Sequence, residues 1–435
     1  MLTRTHALLI FATAALVSCS EFEQPNPRRD RLHFPIGLAL HPDGSALYVV
    51  NSNFDGRYSA DQGGSVAVID TDTLSLRAPS SVFIPSFGST IVLNEDASRA
   101  YISAREGDSL VLLDIDSADP FDIGCGSGPS TTACVFREES GAPAETELEP
   151  ARLPADPFGL DIARVARDGR LFDVLGIAHL RSSAVSAMTI PVDGTAAQAR
   201  SAAEVAVGPL FRSNGSSNAV VRRPGTLEFY ATGRTDNVIS AFSPFINVAG
   251  EVEAIVDLRR DIVLSNSLTQ VDARAAAFNA AGDRFFTVTR TPDSFYVFRV
   301  TAEDREQGQG VRFERVAETS TVLDPSDVIP HIAPDGQRLV YVLGENRQGQ
   351  GVIFVYDENA ALVDDIVFEF GAIPTDMVIE QCSPGALCRA FVSLFTDSVR
   401  SFEVCDNSEE GCGSIAVLDL DPSSSGYHSI ISKIR

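Results

Sequence analysis

Between residues 34 and 404 one unit is written seven times. It consists of an apolar strand, a turn containing Gly or Pro, a second strand, a polar loop and a third apolar strand. The clearest copy spans 34–70, with a first strand at 37–40, the turn Pro42-Asp43-Gly44, a second strand at 47–50, and SVAVID at 65–70. The turn is chemically sound, because proline presets φ and glycine accepts positive φ. Glu95-Asp96-Ala97 leads into strands at 100–103 and 109–114, Asp168-Gly169 into 174–178 and 184–190, and Pro224-Gly225 into 227–231 and 238–242. Ala281-Gly282 leads into 284–289 and 295–300, Pro334-Asp335-Gly336 into 339–343 and 352–357, and Pro384-Gly385 into 390–394 and 399–404. The third strands are anchored at Val66, Leu110, Val185, Val238, Tyr296, Ile353 and Val399, which are 44, 75, 53, 58, 57 and 46 residues apart.

Those separations suit a four-stranded unit with variable loops. Short strands with almost no helical periodicity argue for an all-β chain, and radial repetition of small sheets leaves only short, protected edges. The expected fold is therefore an all-β, seven-bladed β-propeller with four-stranded blades. A β-helix needs a shorter and stricter period. Two tandem sandwiches give short strands but not seven copies of one unit. SIAVLDLD at 414–421 is expected as the outer strand of the last blade, with 399–404 as its third strand. Two segments break the rhythm: 119–156 reads as a blade-linking insertion and 20–31 as a tether.

Residues 39–51 and 64–72, with Pro35 ahead of them, resemble the YVTN-type β-propeller repeat. That repeat has a Pro-x-Gly start, a Pro-Asp-Gly turn, a Tyr-Val-x-Asn second strand and a Ser-Val-x-Val-Ile-Asp third strand. This chain reads YVVN at 48–51, and the copy at 331–357 matches well, whereas the other copies are looser. The resemblance implies architecture over roughly 32–421 and no catalytic residue, because the repeat is structural.

The N-terminus predicts export. Arg4 precedes an uncharged apolar stretch at 7–17, too short for the roughly 20 apolar residues of a bilayer span but suited to a signal peptide. It ends in Leu16-Val17-Ser18-Cys19, which resembles the lipobox in which the cysteine is lipidated and becomes the first mature residue. Ser20 follows instead of an inner-membrane retention aspartate, so an outer-membrane lipoprotein facing the periplasm or the cell surface is expected. The domain reading is signal peptide 1–18, lipid-anchored tether 19–31 and propeller 32–435. Six further cysteines lie in close pairs, and local disulfides Cys125–Cys134, Cys382–Cys388 and Cys405–Cys412 are the simplest set in an oxidising compartment. A zinc site would ask for CxxC-type spacing, which is missing. The formal charge of −25 repels nucleic acid and anionic head groups, leaving the lipid anchor as the membrane partner.

Chemistry-bearing positions are sparse. His33, His41, His179, His331 and His428 form no short-range ligand pair, and no GxSxG nucleophile occurs. His179 follows a second strand and is expected near the channel mouth. Gluconolactonase-like propellers hold a divalent cation with single Glu, Asn and Asp residues from separate blades. Asn51, Asn53 and Asp55 are candidates of that type, and calcium is the cation that such oxygens suit. The absence of tryptophan argues against a quinoprotein dehydrogenase. The pairs Asp70/Asp72, Asp114/Asp116 and Asp419/Asp421 read as turn caps rather than calcium loops. Less bland is an arginine directly after four second strands, Arg105, Arg181, Arg234 and Arg290, with Arg347 slightly later in the sixth copy. These loops open on one propeller face, so the arginines are expected to ring the channel mouth. There they either recognise a ligand or pair with Asp161, Asp272, Asp327 and Asp376. The expected function is an extracytoplasmic binding or scaffolding lipoprotein for a protein, peptide or glycan. The alternative is a lactonase or hydrolase with one divalent cation in the channel.

Overall fold

The computed structural model describes residues 27–125, 134–136, 153–210, 215–265, 271–305, 308–382, 387–398 and 412–435. Seven small antiparallel sheets, each built from one continuous stretch of chain, form a seven-bladed β-propeller. The inner strands are Pro35–Leu40, Gly88–Leu93, Pro157–Arg167, Val220–Arg222, Ala273–Phe278, Leu323–Ile332 and Ala372–Ile379. From each, the chain steps outward through a second, a third and an outer strand. Gly44 and Gly336 close the two Pro-Asp-Gly turns at φ +80° and +88°, a region that a Cβ disfavours.

Burial explains why the middle strands read as unbroken apolar runs although the sheets are antiparallel. Ala46–Asn51, Gly64–Asp70, Arg99–Ala104 and Ser414–Asp419 are buried at every position. Each middle strand is covered on both faces by the neighbouring blades, the situation more usual in parallel sheets. In the second strand of blade 1, Tyr48 and Val50 pack toward blade 2, and Leu47 and Val49 toward blade 7. The large apolar clusters accordingly follow the seams between blades. Outer strands such as Leu362–Phe370 are mostly exposed.

Among the described residues no strand is exchanged between the first and last blades. Their seam rests on Leu38, Leu47, Val49, Ala67 and Ile69 packed against Phe391, Ile415, Val417 and Ile434. A short parallel bridge between His33 and Cys412 is added there.

Two expectations need correction. Ser414–Asp419 is the third strand of blade 7, not the outer one: Phe391 pairs with Val417 and Leu394 with Ser414, while Ile430–Ile434 lies outside. The pattern SIAVLD resembled SVAVID for a physical reason, since both fill the doubly covered third position; even spacing was the weaker guide. Val399 lies outside the described residues. The segment read as an insertion also begins with blade: Asp119–Gly124 and Cys134–Phe136 both pair with the third strand of blade 2. Cys125–Cys134 and Cys382–Cys388 are disulfides, with Cα atoms 5.1 and 4.9 Å apart. Cys405 and the whole N-terminal segment containing Cys19 lie outside the described residues.

Candidate functional site

The inner strands of all seven blades enclose a central channel of about 360 Å³. What brings them close is the residue after each Pro-x. A Cβ on Gly37 would stand 2.1 Å from Ser89 O, and one on Gly159 would stand 2.5 Å from Asn218 O. Blades 6 and 7 carry aspartate at this position, in Pro325-Ser326-Asp327 and Pro374-Thr375-Asp376. There the side chain reaches across to the next blade instead. Asp376 accepts the backbone N–H of Leu38 in blade 1 and of its own neighbour Met377, both at 2.7 Å. Asp161, two residues past Gly159, accepts Arg222 N–H of blade 4 and Ile162 N–H, both at 2.6 Å.

Asp327 and Asp376 line the lumen, Asp161 follows the lining residue Leu160, and each of the three is only partly exposed, with protein around much of the carboxyl. That enclosure disfavours the charged form. Burial pushes Asp161 up to about 6, the two N–H bonds opposing it. Asp376 is raised by burial, and Asp327 is raised well above the carboxylate range by burial and then by the charge of Asp376, to which it is hydrogen-bonded. The two carboxyls titrate as a coupled pair in which burial and their mutual charge disfavour a second ionisation.

Arg105, Arg181, Arg234 and Arg290 all follow second strands and lie on the face where the inner strands begin. Arg105 N–H donates to Phe87 O beside the start of the second inner strand, and Arg290 N–H to Asp272 O beside the fifth. Each guanidinium is ion-paired. Arg105 and Arg181 share Asp156 at 3.4 and 2.9 Å. Arg234 at 3.7 Å shares Asp272 with Arg274 at 2.7 Å. Arg290 pairs with Asp324. Of the acids expected as partners only Asp272 serves. Asp161, Asp327 and Asp376 turn onto backbone N–H groups in the channel wall. The partners missed in the sequence are Asp156 and Asp324, each standing directly before a proline at or near the start of an inner strand, as Asp156-Pro157 and Asp324-Pro325. That dipeptide was the available signal. Arg274 was missed as well. It lines the channel, and its Nε, like that of Arg105, is a buried N–H without an acceptor. Arg347 lies in a separate depression with Asp293 and Glu345.

The other candidates are committed to the fold. Asn51 accepts His33 N–H and donates to Ser65 Oγ at 3.0 Å each. Asn53 donates to Ser86 Oγ at 2.8 Å, and Asp55 pairs with Arg57 and lies 3.4 Å from His33. His179 does not reach the mouth: it is fully buried and bonded to Ser186 Oγ at 2.9 Å, and burial lowers it to about 4. Asp70 caps its turn through the N–H groups of Asp72 and Thr73, and Asp419 through that of Asp421. Among the described residues one group of three His, Cys or acidic side chains has ligand atoms close enough to share a metal ion. It is His331, Cys382 and Cys388, and it lies at the opposite face.

The molecule is thus a seven-bladed β-propeller with a largely apolar central channel whose mouth is rimmed by shared arginine–aspartate pairs. No protein-family model matches the chain, and no curated protein matches it. The YVTN resemblance therefore stands on the residues of blades 1 and 6. Among solved structures it is similar to a periplasmic gluconolactonase of Pseudomonas aeruginosa, at 16% identity over 76% of this chain and 84% of that one, with a TM-score of 0.50. It is also similar to the hydrazine synthase of Kuenenia stuttgartiensis, at 13% identity over 93% and 99%, with a TM-score of 0.52. Proteins this different share a fold with the chain, and at such identities that is all the likeness conveys.

Proposed function

We propose that this chain is a membrane-anchored extracytoplasmic lipoprotein whose propeller binds an acidic glycan or sugar acid at the arginine-rimmed mouth of its channel. The observation that carries the reading is the surplus of guanidinium. Asp156 and Asp272 each serve two arginines, and Arg274, a residue of the channel lining, keeps a buried Nε–H without an acceptor. Such a donor wants an acceptor, since an unpaired buried polar group is costly. A guanidinium fork suits a carboxylate, and the channel volume is that of a small-molecule site. Ser89, Thr90, Ser326 and Thr375 line the same space, the hydroxyls of Ser89, Ser326 and Thr375 being held by Phe158 O, Pro374 O and Ser393 Oγ. Calorimetry with glucuronate, digalacturonate and glucose tests this. The acids bind, glucose does not, and Arg274→Gln weakens binding at least about tenfold, the order expected for one charged hydrogen bond. Equal affinity in Arg274→Gln defeats the proposal.

A second reading is lactone hydrolysis in the channel. Its supporting observation is the coupled pair Asp327–Asp376, which places an acid beside a base. The divalent cation expected with that reading finds no three-ligand carboxylate cluster in the channel among the described residues, so the reading rests on the acids alone. Glucono-δ-lactone opening measured by pH-stat, unchanged by Asp376→Asn, would remove it.

A further inference from the structure

On the face opposite the arginines, the seam between blades 6 and 7 brings together three side chains that the sequence keeps 51 and 57 residues apart. His331 stands one residue before the end of the sixth inner strand. Cys382 and Cys388 lie between the seventh inner strand and the second strand of its blade, which begins at Arg389. Their ligand atoms all lie within 4.8 Å of one another. Cys388 is fully buried, and Cys382 packs against the same apolar cluster, which also contains Ala333, Ala390 and Leu420. His331 Nε2 is buried with no hydrogen-bond partner. An ordinary core histidine finds a partner for such a nitrogen. Here both cysteines are tied to each other as a disulfide.

We infer that the Cys382–Cys388 pair, once reduced, forms with His331 a site for one zinc ion, so that this seam is a redox-gated metal site. A dithiol reductant supplies the two electrons: the protein disulfide becomes two thiols and the reductant becomes a disulfide. Zinc then displaces both thiol protons to solvent and takes two thiolates and the imidazole nitrogen, leaving its fourth position to water. At roughly 2.3 Å for zinc–sulfur and 2.0–2.1 Å for zinc–nitrogen, tetrahedral ligands stand under 4 Å apart, a separation that the two sulfurs reach by parting from the bond. The charges also fit. Two thiolates and a neutral imidazole cancel the divalent ion, and a neutral unit is what an apolar seam accepts at low cost. Short spacing such as CxxC is unnecessary because the third ligand comes from the neighbouring blade. In an oxidising compartment the disulfide is the resting form, and the zinc form belongs to reducing conditions.

The test uses the full chain, reduced under inert gas and titrated with zinc against a competing chelator. Reduced protein should hold one more zinc per chain than Cys382→Ser/Cys388→Ser reduced in parallel, which corrects for the remaining cysteines. His331→Gln, which keeps the disulfide and so folds in the oxidised form before reduction, should bind at least tenfold more weakly. Cobalt added to the reduced wild type should give the thiolate charge-transfer and tetrahedral ligand-field bands, a readout that needs no variant. Equal zinc content in wild type and the double serine variant, equal affinity in His331→Gln, or a cobalt spectrum without those bands would each overturn the assignment.

Discussion

Replacing Asp161 with Asn isolates the energetic cost of a carboxylate in the channel wall. Burial holds Asp161 at about 6 against an ordinary 3.8. Between those values the folded protein binds a proton that the unfolded chain has released. Its contribution is therefore most favourable below pH 3.8 and is lost as pH rises through 6. At roughly 1.4 kcal/mol per pH unit, the full loss is about 3 kcal/mol, reduced to ~2 kcal/mol by solvent at the partly exposed side chain. Asn cannot ionise and escapes this term. It also gives up one acceptor oxygen, so either Arg222 N–H or Ile162 N–H loses its partner, but that cost does not depend on pH. Urea unfolding followed by circular dichroism at a series of pH values from 3.5 to 7.5 reads the difference. The stability of wild type minus that of Asp161→Asn should fall by about 2–3 kcal/mol across the series. Titrations elsewhere cancel in the subtraction as long as the sites are independent. A difference that stays flat from pH 3.5 to 7.5 would show that Asp161 ionises normally, and the account of the channel acids would fail with it.

Asp327→Asn should be nearly neutral in the same unfolding assay, because it removes one of two enclosed acids that disfavour each other's charge. Asp376→Asn should cost about 1–3 kcal/mol by leaving Leu38 N–H or Met377 N–H unmatched; equal effects of the two changes would contradict this difference between the acids. Arg234→Gln/Arg290→Gln should lower stability by under about 2 kcal/mol in melting curves, since both pairs are partly exposed and such pairs contribute ~0–1 kcal/mol each; a larger loss would make these arginines structural. Cys19→Ala should appear in the soluble fraction or stall in processing on cell fractionation, and firm membrane retention of that variant would end the lipoprotein reading.

Seven blades were legible because covering a middle strand on both faces demands an apolar run, and the turns between runs demand Gly, Pro or Asp. The pattern held where both demands were met, as at Tyr48 and Val68 in blade 1. It slipped at 399–404, where equal spacing suggested a strand although the doubly buried run comes at Ser414–Asp419. The arginines were visible because they recur at one place in the unit. Their partners were not, because an aspartate in an inner strand can turn to an arginine or to the next blade's backbone. That choice turns on an offset of three residues: Asp324 pairs with Arg290, while Asp327 turns to the channel wall. The cluster of His331 with two cysteines was invisible for another reason. It is assembled across a seam, and no spacing along the chain records which blades touch.

The seam between blades 1 and 7 also governs the order in which the molecule can be completed. Because no described strand is shared, blade 1 can form its sheet as soon as it has been made, yet Leu38, Leu47, Val49, Ala67 and Ile69 stay bare until Ile415, Val417 and Ile434 arrive. Six blades' worth of chain therefore emerge while one large apolar flank waits in water, the kind of surface that draws unfinished chains together. A chain halted before residue 414 keeps an open arc with two sticky ends. Such fragments should pair with each other in preference to remaining single, and only the last score of residues turns the arc into a ring.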